Sequence, residues 1–122
     1  MRRFILGLDE GTTNLRSVLY DVNANKIVDI NQRSFHQYYP KSGYVEQDAT
    51  EILNGIISTS KTVLTRNKVK KEELLGVGIT NQRETIVAWD RQSGKPIYNA
   101  IVWQCRRTTK YMKSLPNEIK EK

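Results

Sequence analysis

Phe4-Ile5-Leu6-Gly7-Leu8-Asp9-Glu10-Gly11-Thr12-Thr13-Asn14-Leu15-Arg16-Ser17-Val18-Leu19-Tyr20-Asp21 decides how the chain begins to fold. Residues 3 to 8 form a short, nearly continuous apolar run, and residues 15 to 21 alternate apolar and polar as a half-buried strand does. Between them, Gly11 is followed by small hydroxyl and amide side chains, which is turn chemistry. The stretch therefore reads strand, tight turn, strand.

Working outward, Asn23-Ala24-Asn25 marks a second turn and Lys26-Ile27-Val28-Asp29-Ile30 a third antiparallel strand, so the chain opens with a meander. Residues 36 to 47, with His36, Tyr38, Tyr39, Pro40, Gly43 and Tyr44, read as a structured connection. The period then changes. Asp48 followed by Glu51 is a capping-box signal, and Ile52, Leu53, Ile56, Ile57, Val63 and Leu64 recur at helical spacing, predicting a helix over 48 to 66. After a charged link, Leu74-Leu75-Gly76-Val77-Gly78-Ile79 has the pattern of a buried strand. Thr85-Ile86-Val87-Ala88-Trp89 reads as another strand, with Trp89 assigned to the core, and Ser93-Gly94-Lys95-Pro96 as the turn after it. Ala100-Ile101-Val102-Trp103 is a further strand, and a helix is expected to begin near Gln104. Leu115 to Lys122 reads as a helical stretch interrupted in mid-course. The order βββαβ with further strands and a helix is an α/β architecture with both antiparallel and parallel pairing.

At 122 residues the chain suits one domain. No apolar run reaches the roughly 20 residues needed to cross a bilayer, and Asp9 and Glu10 follow the first apolar run too soon for a signal peptide. A cytoplasmic chain is expected, and Cys105, the single cysteine, fits a reducing compartment and a packing role. The net charge of +7 is lopsided: residues 1 to 60 hold six Lys/Arg against seven Asp/Glu, and residues 61 to 122 hold fourteen against six. A basic half invites a nucleic-acid reading. There is, however, no arginine-rich helix with interleaved aromatics and no reader motif, so a solvated surface accounts for it better. His36 is the only histidine, which excludes a His-based triad and a Cys/His zinc cluster. Neither Gly-x-Gly-x-x-Gly nor Gly-Lys-Ser/Thr follows a strand, so any nucleotide must be held by another device.

Three segments carry chemistry. In Asp9-Glu10-Gly11-Thr12-Thr13-Asn14-Leu15-Arg16, a glycine turn lets backbone approach a ligand, and successive N–H groups with the Thr12 and Thr13 hydroxyls offer donors to phosphate oxygens. Asp9 at the strand end suits Mg2+ held through water, and Arg16 suits a phosphate. The same residues also make a good hairpin with no ligand. In Thr80-Asn81-Gln82-Arg83-Glu84-Thr85, Arg83 supplies fork-shaped donors and Glu84 acceptors, a combination suited to neighbouring hydroxyls. Neighbours on a regular strand point apart, so both reach one ligand only at a strand end or bend. A surface ion-pair loop is the competing reading. In Asn99-Ala100-Ile101-Val102-Trp103-Gln104-Cys105-Arg106-Arg107, the Trp103 face suits the C–H surface of a small polyol, although a tryptophan is more often a core residue.

These motifs resemble the sugar and polyol kinase family that shares the actin, hexokinase and Hsp70 nucleotide-binding fold, and within it the glycerol-phosphorylating branch most closely. Gly7 to Arg16 is similar to the superfamily's phosphate-binding hairpin. Ile79 to Thr85, Gly94 to Arg107 and Tyr39 to Asp48 are similar to the glycerol-specific branch, and the likeness runs from about residue 4 to residue 110. The resemblance implies an α/β, ribonuclease-H-like (actin/hexokinase-type) mixed sheet with flanking helices. Residues 1 to 122 would form the amino-terminal part of the first, substrate- and phosphate-binding lobe of a two-lobe kinase, an incomplete lobe with the second absent. It implies transfer of the γ-phosphate of Mg-ATP to a terminal hydroxyl of glycerol, with Asp9, Gly11, Thr12, Thr13, Asn14 and Arg16 around the phosphates and Asp9 handling the metal. Arg83 and Glu84 then match the ligands of the glycerol hydroxyls, and Trp103 the aromatic wall beside them. The general-base aspartate, a substrate tyrosine and the adenine pocket are implied downstream of this chain. The chain alone is therefore expected to be inactive, and the complete protein to be a homo-oligomer. Glu10 stands where this branch usually has Gln, and Asn14 where it usually has Ser; Glu10 either points away from the phosphates or weakens nucleotide binding. Competing expectations are a kinase of the same family for another polyol or sugar acid, and a non-catalytic binding module.

Overall fold

The computed structural model describes residues 1–120. The opening meander forms as β1 (Phe4–Glu10), β2 (Asn14–Asp21) and β3 (Lys26–Ser34), followed by β4 (Glu46–Gln47), α1 (Ala49–Arg66), β5 (Leu74–Asn81), β6 (Ala100–Ile101), α2 (Thr109–Ser114) and α3 (Asn117–Lys120). The main sheet runs β3-β2-β1-β5, antiparallel across the first three strands, with β5 added parallel to β1. A parallel neighbour needs a long crossover, and α1 supplies it. β4 and β6 pair as a separate short ribbon.

The helix begins where its sequence signal lies. Asp48 accepts hydrogen bonds from the amides of Thr50 (2.8 Å) and Glu51 (3.3 Å), satisfying donors that a helix start leaves free. Glu51 does not close a reciprocal capping box, because its carboxylate takes the His36 amide and the His36 ring instead. One face of α1 lies on the even-numbered side of β1. Phe4, Leu6, Leu19 and Val63 make one buried cluster, and Leu15, Phe35 and Ile52 a second under the N-terminal half of the helix. Burial of each such side chain stabilises by about 1.5–3 kcal/mol. The buried Ser17 hydroxyl meets Thr59 Oγ1 at 2.8 Å and Ser60 Oγ at 3.2 Å, tying helix to sheet through a satisfied polar contact.

Five expectations need correction. Residues 74 to 79 form a strand but not a buried one: Leu75, Val77 and Ile79 are 47%, 53% and 74% exposed, because α1 covers β1 to β3 and, among the described residues, β5 meets the core only through Leu74 at its start. Residues 85–89 form no strand. They make one side of a loose arm, bridged at Ile86↔Ile101 and at Trp89↔Pro96, where the Ile97 amide donates to Ala88 O (3.1 Å) and the Asp90 amide to Lys95 O (2.8 Å); the two contacts do not join into a ladder. Trp89 on that arm is 62% exposed and is not core. The segment after Trp103 turns rather than entering a helix, since the Val102 carbonyl is taken by the Cys105 amide (2.8 Å) and the Arg106 amide donates to Gly43 O (2.7 Å); the helix waits until Thr109. The strand expected over 100 to 103 is reduced to Ala100–Ile101. Of the expected C-terminal helical stretch, Asn117–Lys120 is helical, and 121–122 lie outside the described residues.

Candidate functional site

The turn between β1 and β2 is held by the Gly11 amide donating to Asn14 O at 3.0 Å. The chain is so close there that a Cβ on Gly11 would stand 2.9 Å from the Asn14 carbonyl oxygen, so only glycine fits. Because β5 is parallel to β1, with Glu10 opposite Asn81, the segment leaving β5 emerges beside this turn. The two segments and Trp103 enclose a cleft of about 520 Å³ lined by Asp9, Glu10, Gly11, Thr12, Asn81, Gln82, Arg83, Glu84 and Trp103. Glu84 has a positive φ of 65°, a backbone bend that lets consecutive Arg83 and Glu84 side chains line the same space.

Six of the sequence-selected residues thus share one cleft: Asp9, Gly11, Thr12, Arg83, Glu84 and Trp103. Thr13, Asn14 and Arg16 do not line it. Thr13 and Asn14 sit at the exposed tip, where Asn14 Nδ2 donates to Thr13 Oγ1 at 3.1 Å. Arg16 lies one strand over on the sheet face opposite α1, with its Nη1 3.9 Å from Asp9 Oδ2 and its Nε donating to Gln32 Oε1 at 3.3 Å. Both partners of the Arg16–Asp9 pair are well exposed, so the contact holds neither side chain firmly. Trp103 is half exposed, and its Nε1 donates to Thr12 Oγ1 at 3.0 Å, so it is a wall of the cleft and not a core residue. Among the described residues no group of three or more His, Cys, Asp or Glu side chains converges to hold a metal ion. Of the carboxylates lining the cleft, Asp9 stands at the end of β1 beside the turn, and one such ligand suits a hydrated Mg2+, which keeps most of its water.

Glu10 alternates with Asp9 and so points to the helix side of the sheet, where it also lines a second, apolar cavity of about 480 Å³ with Ala49, Ile52, Leu53, Val87 and Trp89. Partial burial among these groups raises its carboxyl pKa.

Sequence reading missed what lies beneath the cleft. Gln47, fully buried, donates through Nε2 to Thr12 O (2.8 Å) and Gln37 Oε1 (2.7 Å), and accepts from Gln82 Nε2 (2.7 Å). Gln37 Nε2 also donates to Thr12 O (3.1 Å), Thr85 Oγ1 donates to Gln82 Oε1 (2.9 Å), and the Trp103 amide donates to Thr85 Oγ1 (3.3 Å). The polar run 80 to 85 was the available signal, since Gln82 and Thr85 of it turn inward. A second buried node, Glu46, receives Arg107 Nη2 at 2.5 Å, Tyr98 OH at 3.1 Å and Asn99 Nδ2 at 3.2 Å. Burial alone would raise the Glu46 pKa, but the three donors outweigh it and hold the carboxyl below its ordinary value.

A mixed sheet of this order, with helices flanking it and a polar cleft where adjacent parallel strands end, is the actin- and hexokinase-like fold in its carbohydrate-kinase form. Gluconate kinase from Lactobacillus acidophilus, 22% identical, superposes with a TM-score of 0.80 over 93% of this chain and 22% of its own. The chain belongs to the FGGY family of carbohydrate kinases: the model of that family's N-terminal domain matches residues 4–122. Glycerol kinase of Mycoplasmoides gallisepticum is 48% identical over 118 residues, 97% of this chain and 23% of the relative. The crystal structure of Plasmodium falciparum glycerol kinase with ADP is 31% identical, with a TM-score of 0.83, over 97% of this chain and 24% of that one. The chain thus spans about a quarter of the length of the relatives it matches. No helix among the described residues is long and apolar enough to cross a membrane.

Proposed function

We propose that residues 1 to 122 form the N-terminal part of the first lobe of a two-lobed kinase that transfers the γ-phosphate of Mg-ATP to a terminal hydroxyl of glycerol. The observation that carries this is the single cleft joining Asp9, Gly11 and Thr12 to Arg83, Glu84 and Trp103. The likeness to glycerol kinases at 48% identity favours glycerol as the acceptor.

In this reading Thr12, Thr13 and Asn14 give the phosphates backbone and side-chain donors, with Arg16 beside them. The cluster lies at a glycine turn, where an anion is approached without steric cost. Asp9 would hold Mg2+ through water, the ion supplying charge neutralisation to the phosphates. The Arg83 guanidinium donates to two adjacent hydroxyls, Glu84 accepts from one, and the Trp103 ring covers the carbon skeleton. Both ends of the reaction are thereby positioned, which supplies much of the catalysis in phosphoryl transfer. In this reading the proton-accepting aspartate and the adenine pocket are not supplied by residues 1 to 122.

The test is calorimetric titration of glycerol into the complete protein, its Arg83→Ala variant and chain 1 to 122. Binding by the complete protein, lost on Arg83→Ala and absent from the short chain, is expected. A folded complete protein that binds gluconate or xylulose in preference to glycerol overturns the acceptor assignment.

A further inference from the structure

The buried amides beneath the cleft face the turn from one side only. Thr12 O receives two of them, Gln47 Nε2 at 2.8 Å and Gln37 Nε2 at 3.1 Å, and Gly11 O lies 3.4 Å from Gln82 Nε2. In a trans peptide the carbonyl and the following N–H point in opposite directions. Drawing the Gly11 and Thr12 carbonyls inward therefore turns the Thr12 and Thr13 N–H groups outward. Neither amide has a hydrogen-bond partner among the described residues, so both remain available to an anion. The same amides continue to the other half of the cleft: Gln47 Oε1 accepts from Gln82, Gln82 Oε1 from Thr85, and Thr85 Oγ1 from the Trp103 amide. Apart from the local Thr85–Gln82 contact, the links of this chain join residues far apart in sequence, Gln47 to Gln82 and Thr85 to Trp103. The network is also fully satisfied, since no buried side-chain nitrogen or oxygen among the described residues lacks a partner. A satisfied buried network has essentially one arrangement, because any rotation strands a polar group away from water.

We infer that Gln47, with Gln37, Gln82 and Thr85, is a positioning device that aims the Thr12 and Thr13 amides at the phosphate donor and links them to the acceptor-binding segment 82–85 and Trp103. None of the four needs to touch substrate. The inference rests on the nucleotide and polyol assignment above and adds that the two subsites are mechanically coupled, so that occupancy of one favours occupancy of the other.

The experiment uses the complete protein with Gln47→Met and Thr85→Val. Mg-ADP affinity is measured by calorimetry with and without glycerol, and KM and kcat for glycerol are measured alongside melting temperature. Gln47→Met removes both donations made by its amide and is expected to weaken Mg-ADP about tenfold, the scale of one lost buried hydrogen bond. Thr85→Val cuts the chain on the acceptor side. It is expected to weaken Mg-ADP without glycerol less than Gln47→Met does, to raise KM for glycerol about tenfold, and to abolish any tightening of ADP by glycerol. A structural role alone lowers the melting temperature of both variants without moving these constants, and that result overturns the inference. If Gln47→Met does not fold, Thr85→Val decides, because Thr85 is only partly buried. A wild type that binds Mg-ADP but does not phosphorylate glycerol refutes the acceptor proposed above while the ADP affinity of Gln47→Met still decides this point; a wild type that binds no Mg-ADP refutes both.

Discussion

Gly55 sits in the middle of α1, where replacing glycine by alanine ordinarily stabilises a helix by about 1 kcal/mol. Here the opposite is expected. A Cβ on Gly55 would lie 2.4 Å from Leu15 Cδ1, and Leu15 is completely buried against Phe35 and Ile52. A leucine tip on a free surface would swing aside, whereas this one has no space to enter, and overpacking of that kind costs about 1–3 kcal/mol. Subtracting the helix gain leaves Gly55→Ala destabilising by about 1 kcal/mol. The companion variant sharpens the test. Leu15→Ala alone leaves a cavity worth about 2–5 kcal/mol, but in the double variant the new methyl group no longer collides. The two effects should therefore fall short of their sum by about 1–3 kcal/mol. Chemical denaturation followed by far-ultraviolet circular dichroism measures all four proteins. A stabilised Gly55→Ala variant, or strictly additive effects, would refute the packing argument. The site is implicated too, since Leu15 is the second residue of β2 and a displaced Leu15 carries the turn at Gly11 to Asn14 with it.

Arg107→Met strands the Glu46 carboxylate, which is 2% exposed, and should cost about 3–5 kcal/mol near neutral pH by thermal denaturation. The pH dependence has a definite sign: the lowered Glu46 pKa gives stability that is present above the ordinary carboxylate value of 4.5 and is lost as pH falls through the lowered value. In Arg107→Met burial acts on Glu46 without its strongest donor, so the gap between variant and wild type should narrow in acid; a gap that widens there contradicts the assignment. Glu10 behaves in the reverse sense, because its raised pKa means the fold binds a proton that the unfolded chain releases, and stability falls as pH rises through that range. Glu10→Gln should stabilise at pH 7 and have no such effect below the ordinary carboxylate range, read from melting curves at both pH values.

The parts of the fold legible in the sequence are those whose signals are local. The turn at Gly11 to Asn14 and the cap at Asp48 each depend on residues within a few positions of one another, and both formed where their residues stand. The strand 85 to 89 failed for a related reason. The run Ile86 to Trp89 is apolar, but the chain returning beside it meets it only at two separate bridges, Ile86↔Ile101 and Trp89↔Pro96, which do not join into a continuous ladder. Leu75, Val77 and Ile79 have the composition of a buried strand, yet burial depends on what packs against them, which composition does not encode. Within the cleft, Arg83, Glu84 and Trp103 stood out in the sequence as residues of polar and aromatic segments, and the structure brings the three together. Gln37 and Gln47 did not stand out, because their roles come from bonds spanning 25 and 35 residues to the Thr12 carbonyl.

The cleft owes its existence to strand register more than to any one residue. β1 and β5 run parallel with Leu8 opposite Ile79, Asp9 opposite Thr80 and Glu10 opposite Asn81, so their C-terminal ends stop at the same level and the segments leaving them meet. Ligands in such sheets are held beyond the carboxyl ends of parallel strands for this reason. Side chains alternate, so Gln82 turns inward to Gln47 while Arg83 lines the opening. Sliding β5 by one residue, about 3.3 Å, would exchange the two. Arg83 would then be driven against the Gln47 amide with no carboxylate to meet it, at the cost of a buried unpaired charge, and the inward amide that fixes the turn would be lost. The irregularity between Phe4 and Ile5 absorbs one residue at the far end of the pair and sets this register before the site is reached. The apolar packing of Phe4 and Leu6 under α1 therefore acts on the chemistry indirectly, by fixing which face of each later residue the cleft receives.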